Sequence, residues 1–383
     1  MSAAFEMLPE SHPAMVVDPA RTPHDIAIRE QPTPQPSPGS VVVRVLAVPV
    51  LSYTGAVLAG QVPAYSYPHA FVPGGSAIAR VVAVGTDATI VTPGALVYVD
   101  SFVHARDDPS SRFISGLFSG FSAGSIKLMH GEWRDSTYAR FCRAPLESCH
   151  LLDEERLLGP PEKGGLGLAV EDLAYINGLM VPFGGLRDVG LKPGERLLVA
   201  PATGPFGSAA VHLGLALGAS SVTVMGRNQD VLAQLKAKGG SMGRVRTVTI
   251  RGDVEAETAD ILAHGGPVDV YLDISSPLAA KSTHLRSGIL SVGYQGRISF
   301  MGGQLEDIAV PLHHFMHYCV QLKGRFMYES ADVRAMIKLV EAGIIKLGKA
   351  GGIQTHKFAL EHFQQAFESA AKAEFMTYTV LCP

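Results

Sequence analysis

One stretch near the middle of the chain limits the fold more than any other. Arg196 to Pro201 (RLLVAP) is a short apolar run of strand character, Ala202-Thr203-Gly204-Pro205-Phe206-Gly207 follows at once, and Phe206 to Leu217 continues as an apolar helix. A glycine turn held between a buried strand and a helix lets the backbone double back tightly. It also aims the helix's unpaired N–H groups and positive dipole end at whatever sits over the turn. A diphosphate suits that arrangement, so this G-x-G-x-x-G variant points to a dinucleotide site. In a chain with 41 glycines the letters alone also fit an ordinary strand-to-helix turn; the flanking strand and helix favour the site.

From this point strand and helix alternate. Ser221 to Met225 is followed by Gln229 to Lys238, and further strands are expected at Val268 to Asp273 and Gly296 to Met301. Such alternation predicts a parallel sheet with crossover helices. Up to about Val170 the pattern differs: Ser40 to Val48 and Ala77 to Val84 are β-branched runs bounded by proline and glycine, which predicts an irregular β domain. Pro32 to Pro38 is proline-rich but short and is expected to form an ordered turn into a strand. After Lys323 helix and strand mix again, and the tail strand Tyr378 to Leu381 is expected to rejoin the first domain, since a short strand needs a sheet to pair with. A length of 383 residues accommodates two such domains.

Composition narrows the partners. Apolar residues make up 47% of the chain and charged residues 17%, the balance of a packed globule rather than a disordered or coiled-coil chain. A net charge of -3 provides no basic footprint for nucleic acid and no polybasic stretch for a membrane surface, which leaves small molecules as the favoured partners. Met1 to Met15 lacks the basic flank and apolar core of a secretory signal, so a cytoplasmic location is expected. Cys142, Cys149, Cys319 and Cys382 form no C-x-x-C pair and are expected to be reduced.

The end of the second strand of the alternating region reports on which dinucleotide binds. A site for the unphosphorylated form usually has a carboxylate about 20 residues past the glycines to hold the ribose hydroxyls, whereas a 2′-phosphate calls for a basic group. Here Val224-Met225-Gly226-Arg227-Asn228 has no carboxylate before Asp230, and a guanidinium pairs bidentately with phosphate. Arg227 is therefore assigned to the 2′-phosphate of NADP(H), against the alternative of a solvated arginine at a helix start.

Several segments resemble the medium-chain dehydrogenase/reductase superfamily, which contains zinc alcohol dehydrogenases, quinone oxidoreductases and enoyl reductases. They are Phe71-Val72-Pro73-Gly74 followed by Ala77 to Gly85, Pro93-Gly94-Ala95-Leu96-Val97, Leu191-Lys192-Pro193-Gly194-Glu195 leading into the glycine turn, and Val268 to Asp273. The resemblance implies an α/β protein: a GroES-like β-rich catalytic domain over 1–175, completed by 325–383, and a Rossmann doubly wound parallel sheet over 176–324 that binds NADP(H). Substrate would lie in the cleft between them, and a homo-oligomer, dimer or tetramer, is expected. Cofactor contacts carried over are Thr203, Gly204, Pro205, Phe206 and Gly207 of the turn, Gly226, Arg227 and Asn228 beyond the second strand, and Ile274, Ser275, Ser276, Gly302 and Gly303 near the nicotinamide half.

The resemblance departs at the metal. Zinc members carry a cysteine, a Gly-His-Glu and a further cysteine at stretches matching Pro49 to Gly55, Gly74-Gly75-Ser76 and Asn177 to Val181, and none of these contains Cys, His or Asp. A catalytic zinc needs about three protein ligands, so no metal is expected. The family's four-cysteine lobe is replaced by a Gly/Ser/Phe-rich segment, Ser101 to Gly131, read either as a substrate lid or as a longer surface loop. His313, His314 and His317, with Cys319 nearby, have a spacing that places two imidazoles on one helical face, but it matches no zinc pattern. No G-x-S-x-G elbow follows a strand, which argues against hydrolase chemistry.

Without a metal, hydride transfer needs another way to stabilise charge on the acceptor: hydroxyl or amide donors, or a substrate that delocalises the charge itself. The leading expectation is NADPH-dependent reduction of an activated C=C, an enone or enoyl group. The alternatives are a zinc-free carbonyl reductase or alcohol dehydrogenase on the same scaffold, and a non-catalytic NADPH-binding protein. By the resemblance Tyr53 falls at or near the family's proton-relay or pocket position and is the first candidate catalytic group, with Ser52 and Ser76 behind it; for Tyr53 the competing account is packing at the domain seam. Trp133, Tyr138 and Tyr328 are read either as pocket residues or as core.

Overall fold

The structure, a computed structural model, describes residues 8–21, 24–62, 65–239, 242–279, 281–304, 306–372 and 374–383. The first seven positions of the N-terminal stretch read above for a leader lie outside them. The chain divides into two compact units, Met1–Asn177 with Val340–Pro383, and Gly178–Leu339. Among the described residues no helix is long and apolar enough to cross a membrane.

Strands are numbered along the chain. The first unit holds β1 (Ser11–Asp18), β2 (Asp25–Pro32), β3 (Ser40–Val50), β4 (Ala77–Val84), β5 (Leu96–Val99), β6 (Phe102–His104), β7 (Arg112–Ile114), β8 (Phe141–Pro145) and β9 (Cys149–Leu151), and from the end of the chain β16 (Gln354–Ala359) and β17 (Thr377–Cys382). Its main sheet runs β16-β17-β3-β4-β5-β9, with β8 on the first half of β3. β3 is the longest strand and is almost wholly buried, which is why SVVVRVLAVPV reads as a continuous apolar run rather than an alternation. The tail strand lies inside this sheet. β17 pairs parallel to β16 and antiparallel to the end of β3, Thr379 opposite Val50 and Leu381 opposite Val48. The proline-rich stretch before β3 closes as an ordered turn: Ser40 N–H donates to Ser37 O at 3.0 Å and Ser37 N–H to Ser40 Oγ at 2.8 Å.

The segment from Ser101 to Gly131 is folded. β6 and β7 form a hairpin, and the helix Ala123–His130 follows, started by a Ser122/Ser125 capping box. Val103, Phe113 and Met129 bury a small core there with Trp133. Apolar side chains spaced along a hairpin and a helix supply what a bare loop lacks, a reason to pack.

The second unit is built on β10 (Arg196–Ala200), β11 (Ser221–Gly226), β12 (Val245–Thr249), β13 (Val268–Asp273), β14 (Val292–Phe300) and β15 (Gln321–Gly324). All are parallel, in the order β12-β11-β10-β13-β14-β15. This is the doubly wound order whose crevice opens between the first and fourth strands, at the carboxyl ends. Leu197 to Ala200 and Val270 to Leu272 have no solvent exposure, and burying each valine or leucine contributes roughly 1.5–3 kcal/mol. β14 begins four residues earlier than the sequence suggests. Gln295 has φ +58 and the pairing with β13 shifts register between Val268 and Val270, an irregularity that breaks the period-two pattern ahead of Gly296.

Candidate functional site

Helix Pro205–Ala216 starts directly from the turn after β10. Gly204 is its N-cap in extended conformation, and Pro205 occupies the first turn, where its missing N–H costs no hydrogen bond. The glycines have separate physical reasons. A Cβ at Gly207 would stand 2.3 Å from Pro201 O and 2.7 Å from Ala202 Cα, so only glycine lets the helix approach the strand. A Cβ at Gly204 would meet nothing within 4 Å, leaving that face of the turn open to a ligand. Ala202 takes the place of the motif's first glycine; it is fully buried, and its N–H donates to Met225 O at 2.7 Å. Ser208 Oγ donates to Ala202 O at 3.1 Å and braces the turn from inside.

At the end of β11, a Cβ on Gly226 would lie 2.3 Å from Thr203 Cγ2, which packs these two candidate positions against each other. Arg227 is exposed and forms no ion pair among the described residues. The Asn228 side chain caps helix Gln229–Lys238, with Oδ1 accepting from Val231 N–H at 3.1 Å, so it is engaged in holding that helix start in place.

The loops after β13 and β14 reach the same sheet edge. Ile274 N–H donates to Ala200 O at 3.1 Å, Met301 N–H to Asp273 O at 2.9 Å, and Gly303 N–H to Ser275 O at 2.9 Å. Gly302 is required by close approach, because its Cβ would stand 2.6 Å from Asp273 Oδ2. Thus 203–207, 226–228, 274–276 and 302–303 all lie at the carboxyl edge of one parallel sheet.

Beneath this edge lies a polar network that the sequence does not reveal. Ser275 Oγ donates to Asp273 Oδ1 at 2.5 Å and meets His284 Nε2 at 2.7 Å; that nitrogen is also 3.2 Å from Asp273 Oδ1, and Nδ1 is 2.7 Å from Ser282 Oγ. His284 has no solvent exposure, and the Nε2–H tautomer satisfies every contact. Glu257 supports the same segment. Its buried carboxylate accepts from Ser287 Oγ, Thr283 Oγ1 and the N–H groups of Arg251 and Gly252. Burial pushes its pKa up, but these four donors together outweigh that and hold it below the usual value. The one sequence signal is the strand-ending Asp273. A histidine 11 residues later carries no recognisable spacing.

In the first unit Tyr53 is the N-cap residue of the short helix Thr54–Leu58, half-buried, with its ring 6.1 Å from that of Tyr65. Desolvation, with Tyr65 alongside, raises its pKa well above the ordinary value, so the phenol keeps its proton. Ser52 is half-buried. Ser76 is fully buried and committed, its Oγ 3.0 Å from Ser101 Oγ and accepting from Ser101 N–H at 3.0 Å. Tyr138 and Tyr328 are core residues, each 1% exposed, with the Tyr138 hydroxyl donating to Pro49 O at 3.0 Å. Trp133 lines a small pocket, too small for a substrate, with Gly75, Ser101, Ser115, Ser136 and Thr137. Its hydroxyls serve one another or the backbone: Ser115 donates to Ser136 at 3.1 Å and Thr137 to Gly75 O at 2.7 Å.

The positions matching a family zinc site do not fit the metal. Gly75 has no side chain, Ser76 is occupied by Ser101, and the Asn177 amide donates to the Tyr378 hydroxyl at 3.3 Å. Thiolate, imidazole and carboxylate donors are missing from all three stretches. Elsewhere among the described residues no group of three His, Cys, Asp or Glu side chains has the geometry to hold a metal. On helix Leu312–Tyr318, His313 and His317 stack with ring centres 5.8 Å apart, and His314 Nε2 lies 3.0 Å from Val292 O.

No family model matches the chain. Curated relatives are alike over most of its length. L-arabinitol 4-dehydrogenase of Aspergillus niger is 26% identical, over 76% of this chain and 71% of the relative, and sorbitol dehydrogenase of Ovis aries is 22% identical over 94% of each. Among solved structures, alcohol dehydrogenase TADH from Thermus sp. ATN1 superposes with a TM-score of 0.75 at 19% identity, covering 97% of this chain and 99% of that one. An alcohol dehydrogenase from E. coli CFT073 complexed with NADH superposes with a TM-score of 0.73 at 16% identity, covering 98% and 100%. At these identities the structures establish a shared fold, a GroES-like β-rich part with a Rossmann sheet.

Proposed function

We propose that this chain, of the medium-chain dehydrogenase/reductase superfamily by its fold and its relatives, is an NADP(H)-dependent, zinc-independent oxidoreductase that interconverts an alcohol and a carbonyl group of a small molecule. The observation that carries the cofactor is the glycine turn at the switch point of the parallel sheet, where Gly207 admits no side chain and Gly204 faces open space. The relatives, named for polyols and alcohols, favour alcohol and carbonyl chemistry over reduction of an activated C=C.

When bound, the nicotinamide supplies or accepts the hydride. The chain's own residues do the rest. N–H groups at the start of helix Pro205–Ala216 bind the diphosphate, assisted by the helix dipole, and Thr203, Pro205 and Phe206 border it. Arg227 takes the additional phosphate, with Gly226 and the capped Asn228 shaping that corner. Ile274, Ser275, Ser276, Gly302 and Gly303 border the nicotinamide half. Tyr53, its proton secured by burial, is assigned as the donor to the substrate oxygen, and Ser52 as its neighbour. Ser76, bonded to Ser101, is left a supporting role. A homo-oligomer belongs to the same proposal.

A second reading, reduction of an enone or enoyl group, is favoured by the donor set that does not fit zinc: a substrate that spreads its own charge needs less stabilisation. The two separate in one assay, in which NADPH and NADH oxidation is followed with a saturated ketone and the matching enone, and cofactor reduction with the matching alcohol. Turnover of ketone and alcohol is expected. Turnover of the enone alone overturns the carbonyl assignment, and tight cofactor binding with no turnover across the panel overturns catalysis.

A further inference from the structure

Gln304 follows the two glycines at the end of β14, in a loop stitched to the β13 loop by Met301 N–H to Asp273 O and Gly303 N–H to Ser275 O. Both polar atoms of its side chain, Oε1 and Nε2, are enclosed, and neither has a hydrogen-bond partner among the described residues. Burying an amide without partners is costly, and native proteins rarely tolerate it. Where it occurs beside a binding edge, it marks a group reserved for a ligand. At Thr33, His212 and Ser299 a single buried atom is left over. Gln304 differs in leaving both a donor and an acceptor, the two polar ends of one planar amide.

The chemical complement of a primary amide is another primary amide, because two such groups close a pair of antiparallel N–H to O bonds. The sheet order says which end of a dinucleotide meets this residue. β11 and Arg227 lie on one side of β10, where the phosphorylated adenosine end is assigned, and β14 lies on the other, beyond β13. The ring expected on the β14 side is nicotinamide, and it carries a primary carboxamide. We infer that the Gln304 side chain binds the carboxamide of the nicotinamide ring, fixing which face of the ring is presented; this rests on the dinucleotide assignment made above. The backing is stiff, since Gly302 is pressed against Asp273 and Asp273 is locked to Ser275 and His284. An amide mounted there is a positioning and specificity group for the cofactor.

The test is calorimetric titration of the full chain and of Gln304→Leu. The ligands are NADPH and NADH, their 3-acetylpyridine analogues, in which methyl replaces the amide NH₂, and the nicotinamide-free fragments 2′-phospho-ADP-ribose and ADP-ribose. The expected result is that Gln304→Leu weakens the preferred dinucleotide by about 10- to 100-fold and leaves its nicotinamide-free fragment unchanged. The unaltered chain should discriminate against the acetylpyridine analogue and Gln304→Leu should not. Equal dinucleotide affinity in the two proteins overturns this inference alone. Parallel loss of the fragment also overturns it, by showing damage to the whole crevice. If the unaltered chain binds neither dinucleotide nor fragment, the proposed function falls with it.

Discussion

A guanidinium stands at position 227 where a carboxylate would repel a phosphorylated ribose. It is exposed and has no ion-pair partner among the described residues, so replacing it disturbs no internal contact. Arg227→Ala is expected to weaken NADPH by about 10- to 100-fold, about 1.4–3 kcal/mol, with little effect on NADH; equal weakening of both in a binding titration would remove the phosphate assignment. His212, on the helix that follows the glycine turn, makes a prediction about stability. Burial, helped by the charge of Lys238, lowers its pKa to about 4. The folded chain therefore keeps the imidazole neutral while the unfolded chain takes up a proton below about 6.5, and stability is lost as pH falls from about 6.5 toward about 4. In urea unfolding at pH 7 and pH 4, His212→Gln should show a decline smaller by roughly 2–4 kcal/mol. An unchanged decline would mean that the imidazole is hydrated in the fold. These residues also mark the limit of what the sequence discloses. Gly207 is legible because its reason is local, a tight turn, and Arg227 stands out for testing because it lies at a strand end. His284 and Gln304 are not legible: the partners of His284 lie at the end of β13 and in the loop after it at spacings that match no pattern, and Gln304 sits where the loops after β13 and β14 meet.

Elements follow the same division. β4, β13 and the helix Gln229–Lys238 have the bounds that their patterns suggest, since each combines a clear period with a terminating glycine, aspartate or capping asparagine. β14 starts early because Gln295 adopts a left-handed conformation that no local pattern signals. Ser101 to Gly131 is ambiguous in sequence because its apolar residues belong to two short elements whose shared core appears only once they fold together. The histidines of helix Leu312–Tyr318 are engaged in ring and backbone contacts: His313 stacks on His317, His314 stacks on Tyr318, and His314 also meets Val292 O. The apolar residues of this helix have another meaning. Leu312 is 73% exposed and Met316 71%, and the helix leads into β15, an edge strand whose four residues are all exposed. An apolar surface beside an open strand edge is where the proposed homo-oligomer is expected to pair. Light scattering is expected to find an oligomer that the double substitution Leu312→Glu and Met316→Glu reduces in size; an unchanged mass would move the interface elsewhere.

At the scale of the whole molecule, the general plan is readable from a change of rhythm, β-rich first, alternating next, with a tail that needs a sheet. The order of strands is not, because pairing partners far apart in the chain leave no local trace. β17 makes the point. It lies between β16 and β3 and is the strand through which β16 joins the first unit's main sheet. Synthesis reaches Thr377, the first residue of β17, only after every strand of the second unit has been made. Until that strand emerges, the hydrogen-bonding groups of Val48 to Val50 present an unfinished rim to the crowded cell, while the parallel sheet of the second unit already has every strand it needs. A nascent-chain chaperone would therefore find its sticky surface on the half of the protein that was made first.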